Sequence, residues 1–222
     1  VMVRTDALTR LADRGDADAQ FRLGYRLAFA RDERRRDLKA ALRWWSAAAK
    51  AGHVRAQFYL GTCYDFGRGV RRNARLAMKW YRLAAEGGSS SAQYNLALGL
   101  REGVGIEKDA RASVRWLRLA ALAGDVDAQA DLGFCLHEGL GTRRDLRAAA
   151  RYYRAAAHQS VVRAQFNLGL CYLEGDGVHK SMRTALGWLR LAARRRHQGS
   201  RKLLARLRGV GLRTNEGIRG QP

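Results

Sequence analysis

The sequence predicts an all-α protein, a right-handed α/α superhelical solenoid of five helix–turn–helix repeats of about 36 residues each. Three observations support this fold class. The chain of 222 residues contains a single proline beside many Ala, Leu and Arg residues, which favours helix almost throughout. The pair Ala-Gln recurs at nearly constant spacing. A Gly-x-Gly motif follows four of its five occurrences in step.

The repeating unit starts with a first helix marked by the Ala-Gln pair. Successive pairs are separated by 37 residues and then three times by 36. Each Gln is followed three residues later by Leu and then by Gly or Ala, and this small residue allows the two helices of a unit to approach closely. The pairs are Ala19-Gln20, Ala56-Gln57, Ala92-Gln93, Ala128-Gln129 and Ala164-Gln165.

A second helix is predicted after each glycine turn. A residue that can accept a hydrogen bond from the first backbone N–H groups of a helix stands at the same phase in every unit, and an apolar helical stripe follows it. We expect an aromatic residue in this stripe to fill the space between units. The capping residues are Asp37, Asn73, Asp109, Asp145 and Ser181. The aromatic residues are Trp44 or Trp45, Trp80, Trp116, Tyr152 and Trp188.

The pattern divides the chain into five repeats with partial helices at both ends. A leftover second helix is expected at residues 4–15, and a C-terminal capping helix with a polar outer face at residues 200–208. Residues 209–222 are predicted to form a disordered tail. The repeats are residues 17–53, 54–89, 90–125, 126–161 and 162–197.

The stretch AQFYLGTCYDFGRGVRRNARLAMKWYRLAAEGG at residues 56–88 resembles the Sel-one-like repeat family, a relative of the tetratricopeptide repeat. The resemblance rests on the elements A-Q-x-x-L-G, G-x-G-V and W-Y-x-x-A-A, and it extends over most of the chain. It implies a curved array of helix pairs that acts as a scaffold or adaptor for protein complexes, often in bacteria. The first repeat departs from the pattern at its turn, where Ala30-Arg31-Asp32-Glu33 replaces the glycine motif.

The charge of the chain is strongly unbalanced, with 42 Lys and Arg against 20 Asp and Glu, a formal net charge of +22. Such an excess predicts attraction to polyanions, including nucleic acid or an acidic protein. Arginine outnumbers lysine 36 to 6, however, and a GC-rich genome raises arginine content without any functional demand. Both explanations stay open at this point.

The sequence predicts no transmembrane segment, because no apolar run approaches the roughly 18 residues of a membrane span. The first residues, VMVRTDALTR, lack the apolar core of a signal peptide. We therefore expect a cytoplasmic protein, or a periplasmic or secreted one if a leader has been removed. We also expect a monomer.

The Gly-x-Gly motif could be a phosphate-binding loop or a helix-ending turn. A dinucleotide fingerprint requires a preceding strand and a third glycine, whereas here a helix precedes the motif and a basic residue holds the third position. We therefore predict a left-handed helix C-cap at the first glycine, a tight turn at the second, and no cofactor. Arg71 and Arg72, in the second repeat, are left without a structural role.

No group of residues predicts catalysis. Cys63, Cys135 and Cys171 occupy one phase, and an odd number with one thiol per repeat predicts small buried side chains. Cys135 and His137, with Glu138, are a poor metal set because residues two apart on a helix point to different faces. Glu102, Glu138 and Glu174 recur in phase beside the turn glycine, which indicates a feature of the repeat and not a catalytic group. We expect no catalytic, cofactor-binding or metal-binding residues and no enzymatic activity.

The leading functional prediction is a non-enzymatic scaffold or adaptor for protein–protein interactions. A partner protein or peptide is expected to bind a concave surface lined by the first helices. The residues predicted on this surface are Arg22, Arg26, Tyr59, Asn95, Asp131 and Asn167.

The alternative prediction is binding of a polyanion, such as nucleic acid, anionic lipid or polysaccharide, along the outer face of the second helices. Basic residues there fall at i, i+4 and i+7, which places them on one helix face opposite the apolar stripe. A solvated face with no ligand would explain the same pattern. The predicted strip comprises Arg75, Lys79, Arg82, Arg111, Arg115, Arg118, Arg147, Arg151, Arg154, Arg183 and Arg190.

Overall fold

The computed structural model describes residues 7–32 and 36–216, with side chains described as far as residue 208. These residues form twelve α-helices, and no strand occurs within the described ranges. The all-α fold class is confirmed, while the right-handed superhelical sense stays a prediction. The helices are α1 (Ala7–Asp13), α2 (Ala17–Ala28), α3 (Leu38–Lys50), α4 (Val54–Phe66), α5 (Ala74–Glu86), α6 (Ser90–Glu102), α7 (Ala110–Leu122), α8 (Val126–Glu138), α9 (Leu146–His158), α10 (Val162–Glu174), α11 (Met182–Arg194) and α12 (Gln198–Glu216).

The helices pack in chain order within two compact units, Val1–Ala123 and Gly124–Pro222. In the first unit the tightest pairs are α2 with α3, α4 with α5 and α6 with α7. In the second unit they are α8 with α9 and α10 with α11. Each pair consists of the first and second helix of one predicted repeat. The partial helices α1 and α12 pack against α2 and α11, respectively.

Every second helix begins at the predicted capping residue. The side chain of Asp109 accepts a hydrogen bond from the backbone N–H of Ala112 at 2.8 Å. The equivalent residues cap α3, α5, α9 and α11 in the same way. Each cap satisfies a backbone donor that has no partner inside the helix.

Most first helices are also capped, which the sequence reasoning did not identify. Asp16, His53, Ser89 and Asp125 each accept a hydrogen bond from the backbone N–H three residues later. Val161 occupies the equivalent place before α10 and forms no side-chain cap. The caps therefore mark both helices of a repeat, with one exception among the described first helices.

The two glycines of each turn have different roles. Gly103 ends α6 in the left-handed conformation, with φ 76°, and its N–H donates to the carbonyl oxygen of Gly99 at 2.8 Å. Gly105 also has a positive φ, and a Cβ there would overlap the backbone carbonyl of Ala74, the first residue of the preceding second helix. The second glycine therefore permits a close approach between successive repeats as well as the predicted tight turn.

The small residue of each first helix lies against a large side chain of its paired second helix. A Cβ added at Gly61 would lie 2.7 Å from Cδ1 of Tyr81, and Gly24 has the same relationship to Trp45. This confirms that the small residue allows close helix pairing. The large residues at this position are all fully buried: Trp45, Tyr81, Leu117, Tyr153 and Leu189.

The predicted tryptophans fill the space between repeats, one position before these fully buried residues. Trp80 is half-buried against the core of the first repeat, and Trp116 is half-buried against the core around Tyr81. In the second unit Trp188 makes an edge-on contact with His158 of the preceding repeat, with ring centroids 5.2 Å apart. Successive repeats are thus joined by aromatic packing.

The repeated Gln forms a second connection between repeats. The side-chain amide of Gln93 is buried and donates to the carbonyl oxygen of Ala85, in the last turn of the preceding second helix, at 3.1 Å. The same carbonyl also accepts the backbone N–H of Gly88 at 3.0 Å, so the glutamine gives it a second hydrogen bond and ties the two repeats together. The same bond is formed by Gln20, Gln57 and Gln165. The regularity of the Ala-Gln pair follows from this contact.

The terminal helices are α1 and α12. Helix α1 lies within the expected residues 4–15, of which residues 4–6 fall outside the described part. Helix α12 continues through residues 209–216, which were assigned to a disordered tail. No proline follows Arg208 until the last residue, and Gly209 and Gly211 weaken a helix without ending it. Residues 217–222 of the predicted tail lie outside the described residues.

Arg72 has a structural role that the sequence reasoning did not assign. Its Nε donates to the carbonyl oxygen of Asp65, in the last turn of α4, at 2.8 Å. Cationic side chains commonly bind the exposed carbonyls at a helix C-terminus. Arg36 and Arg144 make the equivalent bonds in their own repeats. The expectation that Arg72 is left over was therefore wrong, because this basic residue closes the turn.

Candidate partner-binding surfaces

Each first helix carries a stripe of side chains on one of its faces, most of them exposed or half-buried. Its positions lie two residues before and two, five and nine residues after the repeated Gln, a spacing that keeps them on one helix face. We call these residues the first-helix stripe. In the third repeat they are Ser91, Asn95, Leu98 and Glu102, all exposed or half-buried. The other members are Asp18, Arg22, Tyr25, Phe29, Arg55, Tyr59, Thr62, Phe66, Asp127, Asp131, Phe134, Glu138, Arg163, Asn167, Leu170 and Glu174.

The structure places five of the six residues predicted for the partner surface at exposed or half-buried positions. Arg22 and Arg26 are exposed on α2. Tyr59 is half-buried, and its ring centroid lies 5.1 Å from that of Trp45. Asn95 and Asn167 are half-buried, and their side chains interact with the hydroxyls of Tyr81 and Tyr153, respectively. Of these five residues, all except Arg26 belong to the first-helix stripe.

Asp131 differs from this expectation because its carboxylate is bound within the protein. It is only 7% exposed, and its Oδ1 lies 3.0 Å from Nη1 of Arg163. Nη2 of Arg163 also binds the carboxylate of Asp127 at 2.8 Å. One arginine of α10 therefore joins two carboxylates of α8. Asp131 holds neighbouring repeats together, so it belongs to the first-helix stripe by position only and is not expected to contact a partner.

A second side-chain contact joins α8 to the turn after α10. The two ring nitrogens of His137 lie 2.8 Å from Oε1 of Glu138 and 3.0 Å from Oδ2 of Asp176. His137 and Glu138 border a cleft of about 200 Å³ that Phe134, Leu170 and Glu174 also line. The cleft lies on the first-helix stripe of the second unit, and its rim is acidic.

The cysteines are buried, as the sequence predicts. Cys63, Cys135 and Cys171 are all free thiols of the core. Burial raises the pKa of Cys63 and Cys171 to about 11, so these thiols are neutral at physiological pH. A thiol is a weak nucleophile and metal ligand compared with a thiolate. Within the described ranges, no three His, Cys, Asp or Glu side chains are grouped so that they could hold a metal ion.

The second helices carry a different, strongly basic surface. Helices α3, α5, α7, α9 and α11 each contain three Lys or Arg residues, and Glu86 is the only acidic residue within these five ranges. The first helices α2, α4, α6, α8 and α10 instead contain five Arg against seven Asp and Glu. Codon bias alone would add arginine to both kinds of helix. The separation of charge therefore favours a structural or functional cause.

All eleven residues of the predicted basic strip are exposed. They lie on α5 and α7 in the first unit and on α9 and α11 in the second. Internal contacts also occur within this strip, and Nη2 of Arg154 donates to the hydroxyl of Tyr172 at 3.1 Å. None of the described helices has the length and apolar character that a membrane crossing requires.

These features define the class of protein: an all-α helical repeat in which buried positions recur and one exposed stripe varies. The family model of the Sel1 repeat matches residues 17–53, 54–89, 90–125, 126–161 and 162–197. The chain therefore belongs to the Sel1 repeat family, and the five repeat boundaries agree with those read from the sequence. The family is a non-catalytic repeat scaffold whose members bind protein partners.

Solved structures show the same architecture. A protective antigen of uropathogenic Escherichia coli strains with an SLR fold is 37% identical, covers 86% of this chain and 41% of its own, and superposes with a TM-score of 0.80. A Sel1 repeat protein from Oxalobacter formigenes is 31% identical, with 85% and 78% coverage and a TM-score of 0.76. The present chain spans less than half the length of the E. coli antigen. No curated protein gives a significant match.

Proposed function

We propose that this protein is a non-enzymatic scaffold or adaptor that binds a partner protein or peptide on its first-helix stripe. One observation supports this most directly. The buried positions of the first helices repeat the same residues, whereas the stripe changes chemistry from repeat to repeat. At its third position the stripe has Tyr25, Thr62, Leu98, Phe134 and Leu170. Packing explains the repeated residues and leaves the variable ones available for recognition.

The stripe has the composition of an interaction surface. Phe134 is exposed on α8, and Leu98 and Leu170 are half-buried at the same place in their repeats. Apolar side chains of this kind, surrounded by polar neighbours, contribute binding energy when a partner excludes water from them. The charged members of the stripe then provide specificity.

Capture experiments with matched variants test this proposal. The stripe variant is Leu98→Ser/Phe134→Ser/Leu170→Ser, and the control Leu83→Ser/Leu119→Ser/Leu191→Ser changes exposed leucines of the second helices. We expect the wild type and the control to retain the same partner, and the stripe variant to lose it by roughly tenfold or more. Circular dichroism establishes that both variants are folded. Equal capture by the two variants contradicts the proposal.

The separation of charge favours a second candidate function, the binding of a polyanion by the second helices. Exposed basic residues, at i, i+4 and i+7 on α5, α7 and α9 and at i and i+7 on α11, can contact phosphate or sulfate groups without reading a sequence. The aromatic residues of the second helices are buried or half-buried in the core, so this face has no aromatic platform on which bases could stack.

Titration of heparin or nucleic acid at several salt concentrations tests this second candidate. Binding should weaken steeply with salt, and the slope should flatten in the variant Arg75→Glu/Arg111→Glu/Arg147→Glu. The control Arg14→Glu/Arg143→Glu/Arg206→Glu gives the same net charge with exposed residues outside these five helices. If both variants have the same slope, net charge alone explains the binding and the strip has no specific role.

A further inference from the structure

The first repeat contains an open cleft that is lined by aromatic and basic side chains. Its volume is about 540 Å³, and it lies beside α2, between Leu8 of α1 and Arg55 of α4. Tyr25 and Phe29 line it and are 42% and 50% exposed, respectively. Both belong to the first-helix stripe, so the cleft is part of the surface proposed above.

The aromatic residues of the cleft form one connected apolar surface. The ring centroids of Tyr25 and Phe29 are 4.7 Å apart, and Tyr59 makes edge-on contacts with both. Exposed aromatic rings one helical turn apart are costly to leave in water, since each can bury 150–250 Å² in an interface. In the three repeats that follow the second, the place of Phe29 is taken by a glutamate: Glu102, Glu138 and Glu174.

The border of this apolar surface is basic. Arg22 and Arg26 lie one helical turn apart on α2 and both line the cleft. The guanidinium of Arg55 lies 4.7 Å from the ring centroid of Phe21. None of the described residues that line the cleft is acidic. Asp18 lies nearby and approaches Arg22 at 3.7 Å, a contact between two exposed side chains that a stronger acidic ligand can replace.

The tilt of the rings decides which kind of ligand fits. Tyr25 and Phe29 are inclined to each other by 43°, and Tyr59 stands at 82° to Tyr25. Because the rings pack against one another at these angles, their faces are partly covered and offer little area on which bases could stack. Inclined rings instead form a notch for an aliphatic or aromatic side chain. The charge of the border then favours carboxylates on either side of that side chain.

We infer that this cleft binds an acidic peptide segment that inserts one bulky apolar side chain against Tyr25 and Phe29. Flanking Asp or Glu residues of the peptide pair with Arg22 and Arg55. The inference rests on the proposed scaffold function and specifies the chemistry of one of its partners. The acidic cleft beside Phe134 in the second unit is not expected to accept the same peptide.

Fluorescence anisotropy with synthetic peptides tests the inference. The probe is a labelled dodecapeptide of Glu and Gly with one central Trp, compared with the same peptide carrying Ser at the centre. We expect the Trp peptide to bind at least fivefold more tightly. The variant Tyr25→Ser/Phe29→Ser should lose the preference for the Trp peptide, and Arg22→Glu should bind both acidic peptides more weakly. Phe134→Ser should bind as the wild type does.

Three results overturn the inference: equal affinity for the Trp and Ser peptides, no effect of the Tyr25→Ser/Phe29→Ser variant, or binding of single-stranded DNA that depends on the same two rings. Arg22→Glu changes an exposed residue outside the core, so its effect is independent of any packing defect in the aromatic variant. If the peptides fail while partner capture still depends on Leu98, Phe134 and Leu170, only the cleft assignment is wrong and the scaffold proposal stands.

Discussion

Gly61 of α4 lies directly against the ring of Tyr81 of α5, so that a methyl group at position 61 would come within 2.7 Å of the ring. The third repeat has Ala97 at the place of Gly61 and the smaller Leu117 at the place of Tyr81. In the third repeat the larger residue on the first helix is thus matched by a smaller one on the second, while the fifth repeat keeps a glycine, Gly169, against Leu189. This match sets the distance between the paired helices and so the position of the stripe.

The pairing of Gly61 with Tyr81 predicts a non-additive pair of substitutions. Gly61→Ala should lower the free energy of unfolding by about 1–3 kcal/mol, because overpacking a well-filled core is destabilising. In the Tyr81→Leu background, which has leucine as the third repeat does, Gly61→Ala should lower the free energy of unfolding by a clearly smaller amount. Urea unfolding of the four proteins in the cycle measures the difference. Equal costs in both backgrounds contradict the proposed match.

The second glycine of a turn should be more sensitive than a glycine in an open loop. Gly105 and Gly88 both have positive φ, so alanine at either place costs about 1–2 kcal/mol of backbone strain. Only at Gly105 would the new methyl group also meet the backbone of Ala74, whereas nothing lies within 4 Å at Gly88. Thermal unfolding should show the larger loss for Gly105→Ala. A larger loss for Gly88→Ala would be inconsistent with close contact between repeats.

The missing cap of α10 predicts a stabilising substitution. Val161 has the extended backbone of an N-cap, with φ −69° and ψ 109°, but offers no acceptor. Val161→Ser should raise the free energy of unfolding relative to Val161→Ala by about 0.5–2 kcal/mol, because the hydroxyl can accept a hydrogen bond from the N–H of Ala164. Chemical denaturation of the two variants makes the comparison. Equal stability of the Ser and Ala variants argues against the cap.

The buried thiols predict a loss of stability at alkaline pH. Burial raises the pKa of Cys63 and Cys171 to about 11, against 9.0 for the unperturbed thiol. Between these values the unfolded chain releases protons that the folded chain retains, so stability falls as pH rises. The slope is at most about 1.4 kcal/mol per pH unit for each thiol.

Cys63→Ala/Cys171→Ala provides the control for this pH dependence. The double variant should be less stable at neutral pH because it lacks two buried side chains, but its stability should fall less steeply from pH 9 to pH 10. Tyr81, whose pKa is raised to about 12 by burial, adds its effect at higher pH. If the double variant and the wild type have the same slope, the thiols do not carry the effect.

The repeat could be predicted from the sequence because the contacts that define it use the same residues each time. The pairing of Gln93 with Ala85 and the cap of α7 by Asp109 depend on residue type and spacing along one or two helices. A period of 36 residues makes such signals unmistakable when they occur five times. The boundaries of the repeats therefore agree with the family match.

The candidate site was less accessible from the sequence, because it depends on contacts between different repeats. Nothing in the local pattern shows that Arg163 of the fifth repeat neutralises Asp131 of the fourth. The cleft beside Tyr25 and Phe29 was missed for a related reason. It combines side chains of three helices. Its only sequence signal is that the first repeat has Arg26 at the place of Cys63 and Phe29 at the place of Glu102.

The role of Arg72 shows a further limit. A basic residue in a turn of a highly basic chain carries no signal that separates it from its neighbour Arg71. The two differ only in direction, since Arg72 points back to the carbonyl of Asp65. The equivalent bonds of Arg36 and Arg144 in their own repeats show that Arg72 is part of the turn.

Site-specific photocrosslinking tests the central claim most directly. A benzophenone amino acid is placed at a stripe position (Thr62, Leu98 or Leu170) or at an exposed second-helix position (Leu83, Leu119 or Leu191) in cells that express the protein. The account predicts that the stripe positions form adducts with a common protein partner and that the second-helix positions do not. Protein adducts formed only from the second-helix positions would contradict it.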